Sequence, residues 1–238
     1  MDRDSNRHTY LFAGIMVITI AFVLSFTSES LKELKLDNVK KEKMQNILST
    51  VGINVSRDES EDLYNQYIIE ELSLTHNGDI DQEVNAFNIN LALEIRKGLD
   101  DQRFPLYIAD VDNSKYYIIP LRGNGLWNAI WGYIALKQDI NTIEGISFGH
   151  EAETAGLGAE ITQDWFMNSF NDEKILNSNG EFVGIYVSKS NNDPDNIDKN
   201  DNEVDAISGA TITGDGVSDM IKERLENYLP YFNNLSNE

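Results

Sequence analysis

Tyr10 to Phe26 reads YLFAGIMVITIAFVLSF, with no charged side chain and weak polarity only at Tyr10, Thr19 and Ser25. A segment like this must be taken out of water, into a protein core or into lipid. As a helix it would be about 25 Å long, at the short end for crossing a hydrocarbon layer of about 30 Å. A signal peptide would need a small-residue cleavage site, and Leu24-Ser25-Phe26-Thr27-Ser28 offers a poor one. A core helix would keep a polar face, which is missing here. The segment therefore reads as one retained membrane anchor. Arg3 and Arg7 precede it, and Lys32, Lys35, Lys40, Lys41 and Lys43 follow it. Counted by charge, the large domain would stay in the cytoplasm, yet large domains cross largely regardless of charge. The flanks leave both orientations open.

The chain of 238 residues, with a formal net charge of −21, fits one compact soluble domain or a domain with extensions. That acidity argues against nucleic acid and against docking on anionic lipid. There is no cysteine, so disulfides, a thiolate nucleophile and a cysteine-held iron–sulfur cluster are excluded within this chain. His8, His76 and His150 lie too far apart in sequence to show a metal-ligand spacing. The acidic stretch 191–205 contains Asp193, Asp195, Asp198 and Asp201, but an EF-hand register starting at Asp193 places Ile197 fifth and Asp198 sixth. It reads as a solvated loop.

Periodicity predicts a helix over Ser28 to Val51, with an apolar stripe from Leu31 to Val51, and a further helix around Leu63 to Leu72. Asn54-Val55-Ser56 matches a short glycosylation pattern of little specificity. Strand patterns cover Leu106 to Val111 and Tyr116 to Leu121, joined by Asp112-Asn113-Ser114-Lys115 as a hairpin. Trp131 to Leu136, Ile143 to Phe148 and Phe182 to Val187 follow as strands. Gly158 to Asn171 and Val217 to Leu229 read as helices, the second ended by Pro230. The fold class is α+β with an antiparallel or mixed sheet. The expected layout is a tail 1–9, an anchor 10–26, a helical connector 27–100 and a domain 101–238.

Asp205-Ala206-Ile207-Ser208-Gly209-Ala210-Thr211 carries the chemistry. It matches D-x-x-[ST]-G-A-T, at which a dedicated transferase esterifies a threonine hydroxyl with the phosphate of FMN. The same residues could form only a tight turn before a helix. The flavin reading makes physical sense because a helix follows. Ser208 to Thr213 would then sit at its entrance, where unpaired N–H groups and the positive dipole end suit a phosphate. Gly209 and Ala210 allow close approach of the backbone. Esterification leaves the phosphate one fewer ionisable oxygen, which lowers the charge the site must hold.

Glu153-Thr154-Ala155-Gly156-Leu157-Gly158 forms a second, backbone-rich cluster that could offer N–H groups and a hydroxyl to an acceptor-rich ring. With Gly123-Asn124-Gly125-Leu126-Trp127, Gly132-Tyr133, Ile47 to Ile53, the anchor and Ser208 to Thr211, nearly the whole chain resembles the C subunit of the sodium-translocating NADH:quinone oxidoreductase. That family usually reads E-T-P-G-L-G in the loop, where Ala155 here replaces proline. The G subunit of the related Rnf complex shares the threonine motif. A solitary extracytoplasmic electron carrier or a non-redox anchored module would be further alternatives.

The resemblance implies an inner-membrane component of a sodium-transporting NADH:quinone reductase, with its soluble domain on the periplasmic side. It implies covalent FMN on Thr211, with Ser208, Gly209 and Ala210 around the phosphate. Glu153, Thr154, Gly156, Leu157 and Gly158 would contact the ring, and Leu126 and Trp127 would pack beside it. Electrons would pass from an iron site in the membrane subunits to the FMN of the B subunit, toward quinone. No general acid, base or nucleophile is needed, because the protein holds, tunes and shields the cofactor. The other partners implied are the membrane and the flavin transferase. The anchor carries no ionisable residue and cannot be the sodium route.

Overall fold

The structure, a computed structural model, describes residues 6–235; positions 1–5 of the expected tail 1–9 lie outside them, as do 236–238. The chain divides between residues 43 and 44 into two units. The first is dominated by α1 (Asn6–Ser30), 25 residues with none buried, long and apolar enough to cross a membrane. At about 1.5 Å per residue the helix spans roughly 37 Å, well beyond the 17-residue apolar run. The hydrogen-bond ladder continues through Leu31, whose N–H reaches Thr27 O, into α2 (Lys32–Ser49).

The second unit is organised by a five-stranded antiparallel sheet in the order β1-β2-β3-β4-β5. Its strands are β1 (Ile68–Leu74), β2 (Phe104–Val111), β3 (Ser114–Asn124), β4 (Ala129–Leu136) and β5 (Ile143–His150). Asp112 and Asn113 both take positive φ, 52° and 62°, so β2 and β3 are joined by a tight two-residue turn whose twist matches the strands. The central strands are buried on both faces, which explains their near-continuous apolar runs. Leu106, Ile108, Tyr117, Ile119 and Leu121 point to one side. They pack there with Val217, Met220, Ile221 and Leu225 of α6 (Thr211–Glu226) and Phe232 of α7 (Leu229–Leu235). Tyr107, Ala109, Ile118 and Ala135 point to the other side, against Met44, Ile47, Leu48 and Val51 of the α2 end and Tyr64 of α3 (Ser60–Tyr67).

The remaining elements are short: α4 (Leu91–Glu94), α5 (Asp164–Ser169), β6 (Tyr186–Val187) and β7 (Glu203–Val204). The parallel component of the sheet architecture is the two-residue pairing of β6 with β7. Several sequence expectations need correction. The helix expected over Leu63 to Leu72 stops at Tyr67, and Ile68 to Leu72 pair with β2 instead. Ile68 and Ile69 are β-branched and suit the sheet edge better than a helix. The expected strand Phe182 to Val187 shrinks to two residues because Gly184 takes φ +76°. The expected helix Gly158 to Asn171 is a 3-10 turn, Gly158–Thr162, broken from α5 by extended Gln163. The last long helix starts at Thr211, six residues before the apolar periodicity, and ends at Glu226. Pro230 does not terminate it; it occupies the first turn of α7, where a missing N–H costs nothing.

Candidate functional site

Three segments of the second unit converge: the 125–128 turn between β3 and β4, the 151–158 loop after β5, and the 208–210 turn leading into α6. α6 lies along β3, and a Cβ at Gly216 would collide with the carbonyl of Asn124. That close contact brings the start of the helix to the 125–128 turn. Gly209 takes φ +75°, and its missing side chain leaves room for Leu157. Buried Ala210 is the N-cap and supplies no side-chain hydrogen bond, so the first-turn N–H groups of α6 remain available for a ligand.

Thr211 is the first residue of this helix and is exposed. Thr213, two residues on, is 1% exposed, and its hydroxyl donates to Glu153 Oε2 at 2.7 Å. The fold therefore separates two neighbouring hydroxyls, one presented outward and one buried and bonded. The other Glu153 oxygen, Oε1, accepts the Trp127 N–H at 2.9 Å. Glu153 is itself buried, and its own N–H donates to His150 Nδ1 at 3.2 Å. The Trp127 ring stands 66% exposed, with Nε1 donating to the Thr154 hydroxyl at 3.1 Å. It is a rim residue rather than part of the core. The loop is closed by the Leu157 and Ala159 N–H groups, both donating to Thr154 O at 3.1 Å.

A cleft of about 240 Å³ lies where the three segments meet, lined by Leu126, Glu153, Thr154, Leu157, Gly158, Gly209, Ala210, Thr211, Ile212 and Thr213. Of the residues singled out in the sequence, Ser208, Gly156 and Trp127 stand outside this lining. Exposed Leu126, Leu157 and Ile212 form an apolar rim. Ile212 and Thr213 enter the sequence reading only as part of the 208–213 helix entrance, and His150 escapes it. The first two continue the Thr211 motif, and His150 sits three residues before Glu153. Asp205, which opens the motif, does not line the cleft; its Oδ1 accepts N–H groups of Asn192 and Asp193 at 3.0 and 3.3 Å and ties the acidic loop to the segment that leads into α6. A larger cleft of about 740 Å³, lined by Tyr186, Lys189, Asp215 and Lys222 among others, shares none of these residues.

An uncapped helix start beside an exposed hydroxyl, with an apolar rim, fits a flavin phosphate and the edge of its ring. Residues 125–226, which span all three segments, match the family of FMN-binding domains. The site and the fold thus define a flavin-carrying domain. The crystal structure of the Na(+)-translocating NADH-quinone reductase C subunit from Parabacteroides distasonis superposes with a TM-score of 0.75 at 37% identity, covering 84% of this chain and 96% of that one. The C subunit of the same reductase from Haemophilus ducreyi is 28% identical over 228 residues, 89% of this chain and 84% of the relative. Shewanella oneidensis NqrC shares the fold, with a TM-score of 0.68 at 22% identity. The chain belongs to the C-subunit family of the sodium-translocating NADH-quinone reductases.

Proposed function

We propose that this chain is the membrane-anchored flavin carrier of a sodium-translocating NADH:quinone reductase, holding FMN as a phosphoester on Thr211. The observation that carries the reading is the contrast between the exposed Thr211 hydroxyl at the uncapped start of α6 and the buried, bonded hydroxyl of Thr213. When bound, the flavin supplies the redox chemistry. The residues of the chain do the rest. First-turn N–H groups of α6 hold the phosphate, and the Leu126, Leu157 and Ile212 rim gives the ring an apolar bed. Electrons enter from an iron site in the membrane subunits and leave toward the FMN of the B subunit.

In this reading α1 crosses the inner membrane with residues 1–9 in the cytoplasm and the soluble unit in the periplasm. Production with the flavin transferase, followed by mass spectrometry of the C-terminal peptide, tests the attachment. The adduct is expected on Thr211, and its appearance on Ser208 or Thr213 instead would refute the assignment. The cysteine-free chain allows a single introduced thiol at Asn191 to be labelled from outside the cell. Labelling only after lysis would refute the periplasmic placement.

A further inference from the structure

Glu153 is buried, and each of its oxygens is committed to a different segment. Oε1 holds the backbone of Trp127, and Oε2 holds the hydroxyl of Thr213 in the first turn of α6. Two glycines exist in this arrangement because the carboxylate occupies the space. A Cβ on Gly125 would lie 2.5 Å from Oε1, and a Cβ on Gly158 would collide with Oε2 and lie 2.6 Å from the Thr213 hydroxyl. Turn, loop and helix start are thus packed around one carboxylate, and His150 Nδ1 fixes the backbone that presents it.

We propose that Glu153 is the positioning residue of flavin attachment, acting through Thr213 and Trp127 rather than by touching the ring. Bridging the helix start to the 125–128 turn sets the direction in which Thr211 is presented. Engaging the Thr213 hydroxyl withholds the neighbouring nucleophile and leaves Thr211 as the acceptor. This inference rests on the attachment proposed above. In that step the Thr211 Oγ–P bond forms, the bond from phosphorus to the leaving group of an activated flavin nucleotide breaks, and the hydroxyl proton departs with the transferase. Glu153 takes no part in the bond changes. Its effect lies in geometry, where a displacement of about 1 Å can change a rate by about a hundredfold.

The chemistry of the carboxylate makes the idea separable from plain packing. Glu153→Gln keeps the shape, but an amide can accept only one of the two donors, so its NH2 must face either Trp127 N–H or the Thr213 hydroxyl. Thr213→Val also keeps the shape and removes the donor, leaving Oε2 buried without its partner. Thr213→Ser restores the donor and is the rescue.

The full chain, produced with the flavin transferase and purified in detergent, is assayed for the rate of adduct formation at Thr211 and for the visible flavin spectrum. Glu153→Gln and Thr213→Val are each expected to flavinylate about tenfold or more slowly, with a shifted spectrum, and Thr213→Ser to recover the wild-type rate and spectrum. A wild-type rate and spectrum in either folded variant overturns the inference, as does a Thr213→Ser chain as slow as Thr213→Val. If Glu153→Gln does not fold, the Thr213→Val and Thr213→Ser pair decides alone. A wild-type chain with no adduct on Thr211 refutes the attachment reading itself. A wild-type adduct on Thr211 with unaffected variants refutes only the role of Glu153.

Discussion

Two regions of this domain are each built around a buried carboxylate, and they treat the charge in opposite ways. At Glu153 both oxygens accept short hydrogen bonds from segments that form the cleft beside Thr211. At Glu173, fully buried below the acidic 191–202 loop, the nearest opposite charge is Lys199 Nζ at 3.4 Å. Burial there outweighs the lysine and pushes the carboxyl up to about 7. The first arrangement satisfies the charge and uses it to join three segments; the second tolerates it as a local weakness. Burial of an acid is therefore a poor pointer to a site unless its partners are traced.

The comparison breaks most visibly at Gly158. Gly158→Val would drive a branched side chain into the Glu153 carboxylate and Thr213, and overpacking of this kind is expected to destabilise by about 3 kcal/mol, with loss of the flavin adduct. Denaturant unfolding and adduct mass together check it, and a stable, flavinylated variant would show that the three segments do not need the carboxylate.

Glu173→Gln should have the next largest effect, with the opposite sign. The folded carboxyl, raised to about 7, lies above the ordinary value of 4.5. Its stabilising contribution is full below about 4.5 and is lost as pH rises through 7, an overall change of about 3 kcal/mol. The glutamine chain should therefore gain about 2.5 kcal/mol on wild type between pH 5 and pH 8. Unfolding at the two pH values measures this, and equal differences at both would exclude a buried proton equilibrium.

Gly156→Val sharpens the first region. Gly156 takes φ +75°, but nothing lies within 4 Å of the position its Cβ would occupy. The expected loss is about 1 kcal/mol from backbone strain, with covalent FMN retained. A changed visible spectrum in that folded chain would place the loop backbone at the ring. The smallest effect is expected in the larger cleft. Lys189 and Asp215 are 3.7 Å apart and largely solvated, so Asp215→Asn should move the unfolding midpoint by no more than about 0.5 kcal/mol and leave the flavin spectrum unchanged.

Much of the candidate site is legible in the sequence because its residues are contiguous. Thr211 closes a seven-residue motif, and Leu126, Thr154, Leu157 and Gly158 sit in short glycine-marked runs that the fold brings to one cleft. What joins those runs is not legible. The Glu153 to Thr213 bond spans 60 positions and depends on how α6 crosses β3. Apolar periodicity places the start of α6 too late because Thr211-Ile-Thr-Gly-Asp-Gly216 combines β-branched residues and glycines, and tertiary packing holds it helical. The edge strand β1 reads as helix because glutamates interrupt its alternation. The two-residue strand β7 is too short to leave a pattern, and β6 is what remains of the longer strand expected over Phe182 to Val187.

The shallow cleft beside Thr211 has a thermodynamic consequence. At about 240 Å³ it falls below the roughly 300–1,000 Å³ in which proteins usually enclose a small molecule. Contacts made in so small a recess would leave a free flavin nucleotide weakly held and quickly exchanged. On the attachment proposed at Thr211, a covalent link would replace that missing affinity with a high effective concentration, so occupancy would no longer depend on the amount of free nucleotide. A cofactor tethered in that way would remain open to solvent on one side without being lost, with an unobstructed edge for a second redox group to approach.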